Sequence, residues 1–209
     1  MKYKMMLTAA AAASIAVGAA ACGSSGSSTA ASATPKTSAP AAASSSASTA
    51  SAPFGPGCSA VPASGAGSFT GMSTAPVATA ASANPALSTL VAAVKAAGLA
   101  DTLNSASNIT VFAPDNAAFA KIPAATLKAV LANKAELTKI LTYHVTSGRL
   151  TPAQLATGTP VKTLEGATVT PAKMGSTYEV NKSQVICGNV QTSNATVYII
   201  NTVMMPPTS

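Results

Sequence analysis

The chain has 209 residues and a formal charge of +7, with 8% of residues charged, 4% aromatic and no tryptophan. That length has room for one domain of ordinary size plus accessories. A single arginine, Arg149, and lysines spread singly along the chain give no basic face or stripe, so a nucleic-acid partner is excluded, and the positive surplus reads as solubility and weak attraction to anionic envelope surfaces.

Residues 1–21 open with a basic MKYK and continue through the apolar MMLTAAAAASIAVGAA. This is the layout of a secretory signal, with an apolar part shorter than the roughly 20 residues that span a bilayer. Small residues, Ala19, Ala20 and Ala21, lead straight into Cys22 and then GSSGSS. The arrangement resembles a bacterial lipoprotein signal, departing from it at Ala19, where leucine is usual. The resemblance implies cleavage before Cys22 and diacylation of its thiol, hence attachment to the membrane; an ordinary secretory signal with Cys22 incidental is the alternative. Two acyl chains anchor stably where one gives only marginal binding.

Residues 22–53 are rich in serine, alanine, threonine and proline. Side chains so small and polar cannot offset chain entropy by burial, so a disordered stalk is expected, on the order of 30 Å end to end as a flexible coil. The folded domain is expected over 54–209. Within it Cys58 and Cys187 form an even pair in an exported protein, which reads as a disulfide. Two thiols, a single histidine and few carboxylates make a poor metal set, and no cofactor is expected.

The segment NPALSTLVAAVKAAGL predicts a helix capped by Asn84, opened by Pro85 and stopped by Gly98, with Leu87, Leu90, Val91 and Val94 at helical spacing. SNITVFAP, residues 107–114, predicts a buried strand ended by proline. Asp115 then caps a brief helix over NAAFAKI. PAATLKAVLAN predicts a helix with Leu127, Val130 and Leu131 on one face, and KAELTKILTYHV continues with Leu137, Ile140 and Leu141. The alternation of Leu141, Tyr143 and Val145 against Thr142, His144 and Thr146 predicts a strand there. From Val161 the pieces VKTLEG, ATVTPAK, TYEVNK, SQVIC and ATVYIINTVMMP read as strands. Helices first and strands later argue an α+β fold.

Three segments together resemble the fasciclin domain: TVFAPDNAAF at 110–119, the Tyr143–His144 pair, and NATVYIINTVMMPP at 194–207. Their order and separations fit over roughly Gly71 to Pro207. GPGCSA, GMSTAPVATAAS and ILTYHV are similar to the secreted and lipid-anchored fasciclin antigens of actinobacterial envelopes. The resemblance implies a compact β-wedge with several short helices, a Cys58–Cys187 bridge, and adhesion as the activity, with Tyr143 and His144 supporting the fold close to surfaces implicated in adhesion.

Catalytic patterns are missing from the sequence: no HExxH, no GxSxG, no phosphate-cradling glycine loop and no CxxC. His144 lacks the adjacent nucleophile and carboxylate that base catalysis needs. Asp115 and Asn116 read as a cap and turn beside proline rather than a ligand loop. Asn108 and Asn194 match glycosylation acceptors, uninformative behind a bacterial signal, and the two methionines of VMMPPTS read as an adaptable contact or as strand packing. The expectation is therefore a non-enzymatic, monomeric envelope protein that binds a host or envelope protein or glycan. A carrier of an apolar molecule such as a lipid, held between helices and sheet, is the alternative. A large apolar cavity would favour the carrier, and a filled core with an exposed apolar patch would favour adhesion.

Overall fold

A computed structural model describes residues 52–207. The signal segment, Cys22 and the stalk as far as Ser51 lie outside the described residues.

Four helices precede the first strand: α1 (Phe69–Ser73), α2 (Val77–Ser82), α3 (Ser88–Ala97) and α4 (Ala100–Ser105). Asn84 opens the approach to α3 as expected, its side chain accepting from Ala86 N–H, but Pro85–Leu87 form a 3-10 turn before the α-helix starts. Gly98 closes α3 with φ 73°, the left-handed conformation that glycine adopts without a Cβ penalty. β1 (Ile109–Pro114) is buried along its whole length, and Asp115 caps α5 (Asn116–Ala120) by accepting from Ala118 N–H. α6 (Ala124–Ala132) and α7 (Lys134–Tyr143) follow, then β2 (Val145–Ser147) and α8 (Pro152–Ala156). The remaining strands are β3 (Val161–Lys162), β4 (Thr168–Val169), β5 (Pro171–Met174), β6 (Thr177–Val180), β7 (Ser183–Gln191) and β8 (Ala195–Ile200).

Six strands form a mixed sheet in the order β2-β1-β8-β7-β6-β5, in which β1 and β8 run parallel and the other pairs antiparallel. Parallel β1 and β8 are interior, fully buried strands, and alternate residues on each feed opposite cores. Ile109, Val111, Ala113, Ala195, Val197 and Ile199 face the helices, while Phe112, Tyr198 and Ile200 face the second core with Leu155, Val169 and Val180. Register shifts along β7 between Val185 and Val190 bend the sheet. A bridge joins Thr146 in β2 to Thr163 beside β3, and β4 runs into β5 through Thr170, so the opposite edges of the curled sheet are tied by one stretch of chain. The expected α+β class is what the chain adopts.

Two expectations are corrected. Residues 141–144 are not strand: helical bonding in α7 continues through Tyr143, and the His144 backbone N–H donates to Ile140 and Leu141 carbonyls as the C-cap. The helical run of Leu137, Ile140 and Leu141 therefore overrides the short alternation. β8 stops at Ile200 rather than running to the methionines. There Asn201 Oδ1 accepts from Gln184 N–H, and four residues from the strand's end Met204 N–H donates to His144, which turns the chain away from the sheet edge. The α6 face that carries Leu127, Val130 and Leu131 is seated shallowly: α6 has no buried residue, Leu127 and Val130 are half-covered and Leu131 is 38% exposed.

Candidate functional site

The residues that the sequence singles out are drawn inward. His144 is 2% exposed. Its Nδ1 lies 2.8 Å from the Ile140 carbonyl and its Nε2 accepts from Met204 N–H at 3.0 Å. One nitrogen facing a carbonyl and the other facing an N–H define a neutral ring with the proton on Nδ1. Burial holds its pKa down at about 4, with the Ile140 carbonyl opposing that shift. The His144 carbonyl accepts from Phe112 N–H at 2.8 Å. One residue thus joins α7, β1 and the C-terminal segment.

Tyr143, 3% exposed, packs in the second core with its ring edge-on to His144. Its hydroxyl accepts from Asn181 Nδ2 at 2.7 Å and faces the Thr168 carbonyl at 3.4 Å. Burial raises its pKa, the Asn181 bond partly offsets this, and Glu165 adds to the rise. Asn181 and Lys182 have φ of 46° and 66° and form the two-residue hairpin turn between β6 and β7. The Tyr143 hydroxyl therefore ties α7 to this turn. Asp115 is occupied as the α5 cap. Asn116 Oδ1 accepts from Thr89 N–H at 3.0 Å, and its Nδ2 donates to the Pro85 carbonyl at 2.9 Å, tying α5 to the start of α3.

Cys58 and Cys187 are bonded to each other, joining a 3-10 turn at Pro56–Ala60 to β7 across a sequence separation of 129. Phe54 pairs with Gly188 through two backbone bonds beside it. A Cβ at Gly188 would overlap the Phe54 ring, so the close approach requires glycine.

One structural residue escaped the sequence reading. Asn194 matches a glycosylation acceptor, yet its Nδ2 donates to the carbonyls of Leu103 at 2.8 Å and Ala106 at 2.7 Å. Its Oδ1 accepts from Val77 N–H at 2.8 Å, and Asn104 Oδ1 accepts from Ala78 N–H at 3.0 Å. Pro76 at the α2 cap position has no side-chain oxygen, so two distant asparagines satisfy the first N–H groups of that helix. No local signal announces this, because Val77 lies 117 residues from Asn194.

Between the helices and the sheet an apolar cavity lined by Met72, Leu90, Val94, Val111, Leu141 and Val197 has a volume of about 50 Å³. Pockets for small molecules run to about 300–1,000 Å³, so a lipid does not fit there. Among the described residues no three His, Cys, Asp or Glu side chains gather as a metal site, and no helix is long and apolar enough to cross a membrane.

The outer surface is more distinctive around α6. On one side lies an open hollow of about 580 Å³ lined by Thr89, Asn116, Phe119, Lys121, Ile122 and Leu127. On the other lies a narrow apolar cleft of about 20 Å³ that includes Leu127, Val130, Leu131, Leu137 and Met205. Leu131 and Met205, the latter 50% exposed, are two of the four exposed large apolar side chains among the described residues. The methionine pair is split: Met204 is buried beside His144 and Met205 faces out. The sequence places Leu131 on one helical face with Leu127 and Val130; it does not show the shallow seating of α6 that leaves Leu131 in solvent.

Immunogenic protein MPB70 of Mycobacterium bovis is 47% identical over 161 residues, 73% of this chain and 82% of that protein. Cell surface glycolipoprotein MPB83 of Mycobacterium bovis is 42% identical over 161 residues, 73% of this chain and 72% of that one. A solved FAS1 domain pair from the insect cell adhesion molecule Fasciclin I aligns at 24% identity with a TM-score of 0.48, over 60% of this chain and 47% of that one. Residues 85–206 match the Fasciclin domain model, and with relatives at this identity over most of their length the chain belongs to the fasciclin domain family.

Proposed function

We propose that the protein is a non-enzymatic recognition module displayed at the bacterial cell surface, held there by a diacylated Cys22 and a flexible stalk, and acting in adhesion to a host or envelope protein or glycan. The observation that carries the reading is the commitment of Tyr143, His144, Asp115 and Asn116 to hydrogen bonds within the fold, beside a helix–sheet cavity of only about 50 Å³. A frame held in this way offers a partner its outer surface. The cell-surface and immunogenic descriptions of its relatives support the location, and the alanine-and-cysteine junction at 19–22 supports the anchor.

The test is capture from envelope and host-surface extracts by the chain starting at Gly23. Binding that saturates and is competed by the same soluble chain is expected. Absence of saturable binding from every extract, or turnover of a substrate by the purified chain, would overturn the reading. Intact mass of the mature protein tests the anchor separately: an N-terminus elsewhere than Cys22, or a bare Cys22 thiol, removes it.

A further inference from the structure

Residues 123–136, PAATLKAVLANKAE, form the longest outward-facing stretch of the described domain: only Leu127 and Val130 in it are even half-covered. They build a ridge, α6 and the corner into α7, flanked by the hollow and the cleft already described. Leu131 and Met205 add apolar side chains. Lys128 lies three residues before Leu131, which places the two side by side on the helix surface. Lys134 lies within the ridge and Lys121 two residues before it; both are exposed, as is Lys128, and Lys121 Nζ also donates to the Asn201 carbonyl at 2.7 Å. Across 121–136 the only acidic residue is Glu136, beside the Asn133 cap at 3.5 Å. Exposed leucine and methionine with Lys128 beside them and two more exposed lysines near by, on a helix with little hold on its own core, match an interfacial contact with a bilayer bearing anionic headgroups.

We infer that this α6 ridge is a docking surface for an anionic lipid bilayer: Leu131 and Met205 enter the headgroup boundary while Lys121, Lys128 and Lys134 meet the anionic headgroups. Charge complementarity selects this occupant. A positively charged rim gives a neutral or cationic partner nothing to pair with, and a second copy of the ridge would oppose three lysines with three lysines. The contact is weak by construction, since the apolar area is small and each lysine near such a surface contributes roughly fivefold in affinity. A tether changes what a weak contact can do. Covalent attachment to the same membrane makes docking intramolecular, at an effective concentration of about a millimolar, so an affinity in that range keeps the ridge seated for much of the time. The domain would then lie with α6 toward the lipid and its other faces free for the partner. The contact itself is argued from the ridge and stands apart from the adhesion reading; its tethered form rests on the proposed Cys22 anchor.

Vesicle flotation of the chain starting at Gly23, which carries no acyl group and no signal segment, tests it directly. Vesicles of phosphatidylcholine alone are compared with vesicles containing 30% phosphatidylglycerol, at millimolar lipid. The expected result is at least tenfold stronger partitioning onto the anionic vesicles, lost as salt screens the lysines. The Lys128→Gln/Lys134→Gln pair should weaken it by roughly 25-fold, and Leu131→Asp/Met205→Asp should weaken it comparably. Met174→Asp, at an exposed hairpin position away from the ridge, should leave it unchanged. All these side chains are exposed, and thermal melts of the variants check that the fold is kept. Equal partitioning onto both vesicle types, no partitioning at millimolar lipid, or ridge variants that bind like the original chain would overturn the inference. So would a ridge variant that loses saturable capture of a protein while vesicle binding is absent throughout; that outcome makes the ridge a protein interface and leaves the adhesion reading intact.

Discussion

Acid should loosen this domain through one side chain. The His144 ring is neutral, with Nδ1 facing the Ile140 carbonyl and Nε2 accepting from Met204 N–H. A second proton would point an Nε2–H at the Met204 N–H, donor against donor, inside a site with almost no access to water. The folded ring accordingly titrates at about 4 where an ordinary histidine does so at 6.5. Between those values the unfolded chain holds more protons than the folded one, so stability rises with pH there. The full contribution is present above 6.5, falls as the pH is lowered toward 4, and levels off below. At about 1.36 kcal/mol for each unit, the gap amounts to about 3 kcal/mol, a large share of the roughly 5–15 kcal/mol that holds a domain folded. Urea unfolding at pH 7.5, 6.5, 5.5 and 4.5 should show that loss in the original chain. His144→Gln should be less stable at pH 7.5 and nearly flat between 6.5 and 5, so the two curves converge on acidification. Parallel curves would show that no proton is taken up at His144 on unfolding and would refute the reasoning.

Asn194→Ala leaves Val77 N–H and the Leu103 and Ala106 carbonyls without the side chain that satisfies them; urea denaturation should register a loss of about 2–4 kcal/mol, in line with the cost of stranding several buried polar groups. Cys58→Ser/Cys187→Ser opens a loop spanning 129 residues, and on the chain-entropy model removes about 5 kcal/mol; a melting temperature lowered in the double variant, and lowered in the original chain by reductant, is expected. Tyr143→Phe deletes only the hydroxyl that accepts from Asn181; about 1 kcal/mol should be lost in denaturation, with saturable capture from surface extracts unchanged because the ring and its packing remain.

Much of the fold is legible where local chemistry and burial agree. The β-branched and aromatic run at 109–114 is a strand in the middle of the sheet, buried on both faces. Asp115 caps α5, and Gly98 ends α3. The exported compartment implies the cysteine pairing that the structure contains. Legibility fails where the deciding partner is far away in sequence. α1 and α2 are five and six residues long, too short for a periodic signal, and α2 takes its caps from Asn104 and Asn194. At 141–146 two periodicities overlap, and the helical one extends to Tyr143 before β2 begins at Val145. The end of β8 is set by Met204 reaching His144, 60 residues back.

The same distinction governs the site. Residue types identified Tyr143, His144, Asp115 and Asn116 as important, but whether a polar side chain faces a partner or the interior is a property of packing. All four are hydrogen-bonded within the fold, Tyr143 and His144 in its interior and Asp115 and Asn116 half-buried at the start of α5. The exposed ridge went unread for the converse reason. A helix with leucine at three- and four-residue spacing looks like one that covers a core, and only the seating of α6 against α7 leaves Leu131 in solvent.

The central claim, that this domain recognises a surface from outside the cell and does so while tethered, is tested most directly by cell attachment. Cells expressing the full chain, cells lacking it and cells expressing Cys22→Ser are compared on host-cell monolayers and on envelope-coated surfaces. Attachment should drop severalfold without the protein, and equally when Cys22→Ser releases it to the medium. Attachment that is the same in all three would contradict the account.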